Sequence, residues 1–127
     1  MSVDNQSRVK VTVNTEYLPA HSDPAKANYA FAYHITIHNR GDEGVRLLSR
    51  HWLITDGNQQ LQEVRGEGVV GQQPHIPAGE SYSYSSGCLL TTPVGCMEGS
   101  YHMETDDGHF FDIPIPLFSL SVPGTVN

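Results

Sequence analysis

Apolar side chains recur at every second position through most of this chain, and the three-to-four residue period of an amphipathic helix is nearly absent. Between Arg8 and Leu18, Val9, Val11, Val13 and Tyr17 share one parity while Lys10, Thr12, Asn14 and Glu16 share the other, which predicts a strand with one buried face. The turn-rich stretch at 19–28 leads into a second strand, with Tyr29, Phe31, Tyr33, Ile35 and Ile37 on one side and His34, Thr36 and His38 on the other. A third strand is expected over about Val45 to Thr55, with Leu48, Trp52 and Ile54 in phase. Asp56-Gly57-Asn58 turns it into Gln59 to Arg65. After a loop of about 14 residues follow Glu80 to Leu90, Gly99 to Asp106 and His109 to Phe118, the last with Phe111, Ile113, Ile115 and Leu117 on one side.

Seven short half-apolar strands cannot bury their faces in one flat sheet, so two packed antiparallel sheets are the economical arrangement. The single tryptophan on the third strand and a tyrosine on the penultimate one match the placement in immunoglobulin and fibronectin type III sandwiches. The predicted fold is therefore all-β, an immunoglobulin/fibronectin type III-like β-sandwich of about seven antiparallel strands in two sheets. Pro114 and Pro116 cannot donate to a ladder, which puts the last strand at a sheet edge. No repeat or internal boundary is visible, so residues 1–127 read as one domain. Its ordered core is expected at about 8–120, with fraying outside it.

Charge narrows the partners. The formal net charge of -7 opposes binding to nucleic acid or to an anionic membrane, both of which require clustered Lys and Arg. Of the basic residues, only Arg46, Arg50 and Arg65 fall near one another in sequence. With no apolar run near the roughly 18 residues that span a bilayer and no apolar centre in the first ten residues, a cytoplasmic protein is expected. Cys88 and Cys96 flank a Pro/Gly turn at a spacing that suits neither a redox pair nor a zinc knuckle, and read as reduced structural thiols.

Several long motifs carry a family resemblance. RHWLITD at Arg50 to Asp56, VRGEGVVGQQP at Val64 to Pro74, PAGESYSYSSG at Pro77 to Gly87, TPVGCMEGSYHM at Thr92 to Met103 and the closing IPLF at Ile115 to Phe118 resemble the ApaG family of bacterial proteins over about residues 8–120. The resemblance implies a fibronectin type III-like sandwich. It also implies an association with cobalt resistance and magnesium transport. Related domains in an F-box protein and in a DNA polymerase delta interacting protein suggest a protein-interaction module. No catalytic residue follows from it.

Three chemistries compete for the site. Gly66, Gly68 and Gly71 spell GxGxxG, the phosphate-cradling pattern, and Arg65 stands beside them. Here Val69 and Val70 are β-branched and Pro74 follows, so no helix N-terminus faces the ligand, and the glycines read first as tight-turn residues. Pyrophosphate or nucleotide binding is kept as the alternative function. Divalent-metal sensing is the second alternative, but His34 and His38 stand about 13 Å apart along a strand, and His102 with Glu104 is the best remaining pair. No nucleophile sits in an activating context, so no enzyme and no cofactor are expected. The preferred reading is a non-enzymatic binding domain for an unidentified protein partner, contacted through the loop from Gly66 to Gly79, with Arg65, Gly66, Gly68, Val69, Val70, Gly71, Gln72 and His75 as its residues. Pairing of the last strand into a homodimer is a further option.

Overall fold

The computed structural model describes residues 8–124. Fraying expected at 1–7 and 125–127 lies outside the described residues. Among those described, the strands are β1 (Val9–Tyr17), β2 (Tyr29–Asn39), β3 (Val45–Asp56), β4 (Leu61–Glu67), β5 (His75–Ile76), β6 (Ser81–Leu90), β7 (Val94–Thr105) and β8 (Phe110–Ser121). One sheet runs β1-β2-β6 and the other β4-β3-β7-β8, with β5 also paired to β3. All ladders are antiparallel, and β4 joins β3 rather than crossing to the first sheet. The all-β, fibronectin-like sandwich expected from the alternation is thus present. Its eighth strand, β5, is two residues long and too short for a period of two to register.

The core forms where the predicted inward parities meet. Phe31, Ile35 and Ile37 from β2 face Trp52, Tyr101, Met103 and Ile113 from the second sheet, all essentially buried. Trp52 holds the centre, with ring centroids 5.5 Å from Tyr33, 5.8 Å from Phe118 and 6.4 Å from Tyr101 in edge-on arrangements that suit aromatic quadrupoles. As its prolines require, β8 is a sheet edge.

Two bulges correct the predicted parity. Against β7, Leu47 pairs with Met103 and Ser49 with His102, so Leu48 is an extra residue and it is Leu47 that is buried. Against β8, Gly99 pairs with Ile115 and Met97 with Phe118, which sets Pro116 and Leu117 together opposite Glu98. Leu117 is therefore expelled to 58% exposure while Phe118 packs inward. A proline has no N–H to lose at such a break. Both β7 and β8 run further than expected, from Val94 and to Ser121, because their outer ends pair with each other and with the end of β3.

One buried polar side chain ties the loop end of the sandwich together. Asn39 is fully buried, donates through Nδ2 to the carbonyls of Glu43 at 2.9 Å and Ile76 at 3.0 Å, and accepts from the Gly41 amide at 3.0 Å. Every group it carries into the interior has a partner, which is the condition for a polar residue there.

Candidate functional site

The segment after β4 is a miniature hairpin. Val69 and Gln72 exchange both backbone hydrogen bonds, at 2.8 and 3.0 Å, leaving Val70 and Gly71 as a two-residue turn. Both have positive φ, 49° and 77°, as a primed hairpin turn requires. For valine this is a rare conformation, since its branched Cβ collides with the backbone there. The hairpin base is fastened to the bulge in β3. The Leu48 carbonyl accepts from the Gly68 amide at 2.7 Å and from Gln73 Nε2 at 2.9 Å, and Arg46 donates to the Gln73 carbonyl at 2.7 Å. The bulge thus turns a carbonyl of β3 outward, where the loop uses it.

The structure disperses the candidate loop residues. Val69 is fully buried while Val70 is 63% exposed at the tip, with Gly71 and Gln72 exposed beside it. His75 lies at the surface on β5, its Nε2 2.8 Å from an Asp106 carboxylate oxygen. Arg65 points away from the hairpin, onto the outer face of the second sheet, where it pairs with Glu63 at 3.1 Å. The amides of Gly68, Val69 and Gln72 already donate to carbonyls. These three amides and Arg65 are therefore already engaged by groups of the fold. Gly66 instead makes room for Arg50, because a Cβ there would stand 2.8 Å from the guanidinium that lies across it.

On the outer face of the second sheet, Ser49, His51, Arg65, Ser100, His102 and Asp112 line a shallow polar basin of about 540 Å³. His51 Nε2 meets a Glu63 carboxylate oxygen at 2.5 Å, and this contact, with Arg65 behind it, holds the Glu63 carboxyl below its ordinary range. His102 Nδ1 lies 2.6 Å from an Asp112 oxygen, and its ring stacks on Phe110. His102 is thus paired with Asp112 across the ladder rather than with Glu104. His34 approaches Glu16 and Ser85, and His38 approaches Ser81, so the two do not converge. Among the described residues no group of three His, Cys, Asp or Glu side chains is placed to hold a metal ion.

The second concavity lies between the sheets. On one side β1 packs against β8. On the other, the edge strands β4 and β6 stand apart over a cleft of about 320 Å³. Tyr33, Arg50 and Trp52 contribute to its interior, Val64 to one rim, Ser86 and Cys88 to the other. Arg50 shares the parity of Trp52 and so points between the sheets, its Nη1 donating to the carbonyls of Glu67 at 3.1 Å and Gly68 at 2.9 Å. Trp52 Nε1 is a buried donor without a hydrogen-bond partner among the described residues. Burial pushes the Cys88 thiol up to about 11 and raises the Tyr33 phenol above its ordinary value, so both are neutral at pH 7.

A family model described as the ApaG domain matches residues 19–105. The chain belongs to the ApaG family. Protein ApaG of Pseudomonas paraeruginosa is 53% identical to it over 124 residues, 98% of each chain. Among solved structures, an X-ray structure of a structural-genomics target is similar with a TM-score of 0.92 at 42% identity, covering 97% of this chain and 93% of that one. A Bordetella pertussis protein described as ApaA matches with a TM-score of 0.89 at 48% identity, over 92% of this chain and 95% of that one.

The ApaG-like motifs meet in space at the cleft: Arg50 and Trp52 come from RHWLITD, Val64 from VRGEG, Ser86 from the YSYSSG stretch and Met97 from TPVGCM. Sequence reasoning did not single out Arg50 as a site residue. The available signal was its parity, two residues before a tryptophan expected to be buried. Among the described residues of this ApaG-family chain, no helix is long and apolar enough to cross a membrane.

Proposed function

We propose that this domain acts in the cytoplasm by binding a protein partner, without catalysis, through the Val70 hairpin of the Gly66 to Gly79 loop. The observation that carries this reading is Val70: a β-branched side chain held at φ 49° and 63% exposed. Holding such a residue in the left-handed region costs on the order of 1–3 kcal/mol. The Val70 side chain recovers none of that energy by packing, since it faces solvent while its neighbour Val69 is fully buried. A rigid apolar knob on a fastened base suits recognition, since little conformational entropy is lost when a partner closes over it. The association of the family with cobalt and magnesium would then run through the partner. The dispersal of the histidines into separate pairings with nearby carboxylates or serines supports such an indirect link.

A photo-crosslinking residue at position 70, with a control at position 36 on the outer face of the first sheet, tests the proposal in the native cell. A discrete adduct from position 70 is expected, and none from position 36. Val70→Asn, which tolerates positive φ, should keep or raise the unfolding midpoint while abolishing capture of the same partner. Equal adducts from both positions, or capture undiminished by Val70→Asn, would overturn the reading.

A further inference from the structure

The cleft between β4 and β6 carries three features that packing alone does not explain. Arg50 brings a guanidinium to the space between the sheets, and among the described residues it forms no ion pair. Its hydrogen bonds run through Nη1 to two neutral carbonyls, which leaves the remaining donor edge of the fork available to a two-oxygen acceptor. Trp52 forms part of the cleft wall, and among the described residues its buried indole N–H has no acceptor, which is unfavourable. Beyond these donors the walls are mixed, with Ile54, Val64, Leu89 and Met97 supplying apolar surface among Gln62, Ser86 and Cys88. An adjoining recess of about 210 Å³ shares Ile54, Gln62 and Leu89 and reaches Leu61 and Leu90, with Asp56, Gln60 and Thr91 also on its lining. Leu61 and Leu89 stand at this end with 65% and 60% of their surface exposed.

Charge complementarity sets the class of occupant. The cleft is lined by one cation and by no anionic side chain, and its thiol and phenol are neutral at pH 7. One fixed positive charge in a partly dry site favours one negative charge. A second would have to be desolvated without compensation. The volume lies at the lower end of the roughly 300–1,000 Å³ typical of ligand sites, which fits a short chain rather than a large cofactor.

We infer that the β4–β6 cleft binds a small amphiphilic monocarboxylate, its carboxylate paired with the Arg50 guanidinium and its apolar chain lying past Trp52 toward Leu89. Gly66 belongs to this site as well, because a side chain there would displace the guanidinium. The site is distinct from the Val70 hairpin, and neither proposal depends on the other.

The chain has a single tryptophan, so its indole N–H gives one assignable cross-peak in a nitrogen-15 correlation spectrum, from a side chain that lines this cleft. The probes are octanoate, 1-octanol, octylammonium and octyl phosphate, added at millimolar concentration to the intact protein at pH 7. Octanoate should shift the cross-peak saturably and bind roughly tenfold or more tightly than the other three, the difference expected for a charge-assisted hydrogen bond. Arg50→Gln should remove that advantage and leave the 1-octanol response unchanged. Absence of a saturable octanoate shift, or equal response to octanoate and 1-octanol, would overturn the inference. Tighter binding of octyl phosphate would overturn the choice of a monoanion. Should Arg50→Gln fail to fold, the headgroup ranking on the unaltered protein decides the matter by itself.

Discussion

The hydroxyls of Tyr84 and Tyr101 hydrogen-bond to each other across the gap between the two sheets. Tyr84 belongs to β6 and Tyr101 to β7, and both side chains are buried, so each phenol depends on the other for its partner. Tyr84→Phe or Tyr101→Phe alone leaves one buried hydroxyl unpaired and should cost about 1–3 kcal/mol. The double substitution removes both polar groups and should cost clearly less than the sum of the two. Urea unfolding of the four proteins measures this as a double-mutant cycle, and strictly additive losses would show that the bond contributes nothing.

The same burial predicts loss of stability in alkali. Desolvation raises the Tyr33, Tyr84 and Tyr101 phenols above their ordinary value, and it raises the Cys88 thiol to about 11. Native protein therefore retains protons that the unfolded chain releases from about pH 9 upward. With fewer protons bound in the unfolded state, the free energy of unfolding falls as pH rises through that region, by at most about 1.4 kcal/mol per pH unit for each group. Stability should be insensitive to these groups near pH 8 and should decline steadily toward pH 11. Urea midpoints across that range test it, and a flat profile would mean that the phenols titrate at ordinary values.

At the β3 bulge, adjacent leucines should behave oppositely. Leu47 is fully buried and Leu48 only half-buried. Leu47→Ala should cost about 2–5 kcal/mol, as core truncations do, whereas Leu48→Ala should cost about 1 kcal/mol or less. The reverse order in denaturant unfolding would place the register as strict alternation from Trp52 back to Leu48 predicts.

That pair also marks where a reading of the chain stops. Alternation located seven of the eight strands and the burial of Phe31, Ile35, Trp52 and Ile113, because a buried face dictates period two wherever a ladder is unbroken, and Pro114 and Pro116 located the edge position of β8. A bulge inserts one residue and reverses parity beyond it, and Leu48 is the same residue type as its buried neighbour Leu47, while Leu117 is as apolar as the inward-packed Phe118. The site was harder for a related reason. Hairpin residues were visible through their glycines, yet Val69 and Val70 look alike until the turn is built. Arg50 reads as an ordinary surface cation until β3, β4 and β6 come together around it.

The three glycines of the GxGxxG stretch should fail in different ways. At Gly68, with φ 60°, a Cβ would lie 2.0 Å from the Gln72 carbonyl oxygen, and backbone cannot move aside without opening the hairpin. Gly68→Ala should therefore cost at least about 2 kcal/mol. At Gly66 the obstacle is the flexible end of Arg50, so Gly66→Ala should fold, shift the guanidinium off its two carbonyls and cost about 1–2 kcal/mol. Gly71 has φ 77° and open space around it, which leaves only the left-handed penalty of about 1–2 kcal/mol. Unfolding midpoints should thus single out Gly68→Ala as the most damaging. The octanoate response of Trp52 should change in Gly66→Ala and remain intact in Gly71→Ala. A phosphate cradle would give another pattern, with all three variants losing pyrophosphate binding together, and titration of pyrophosphate into each distinguishes the two.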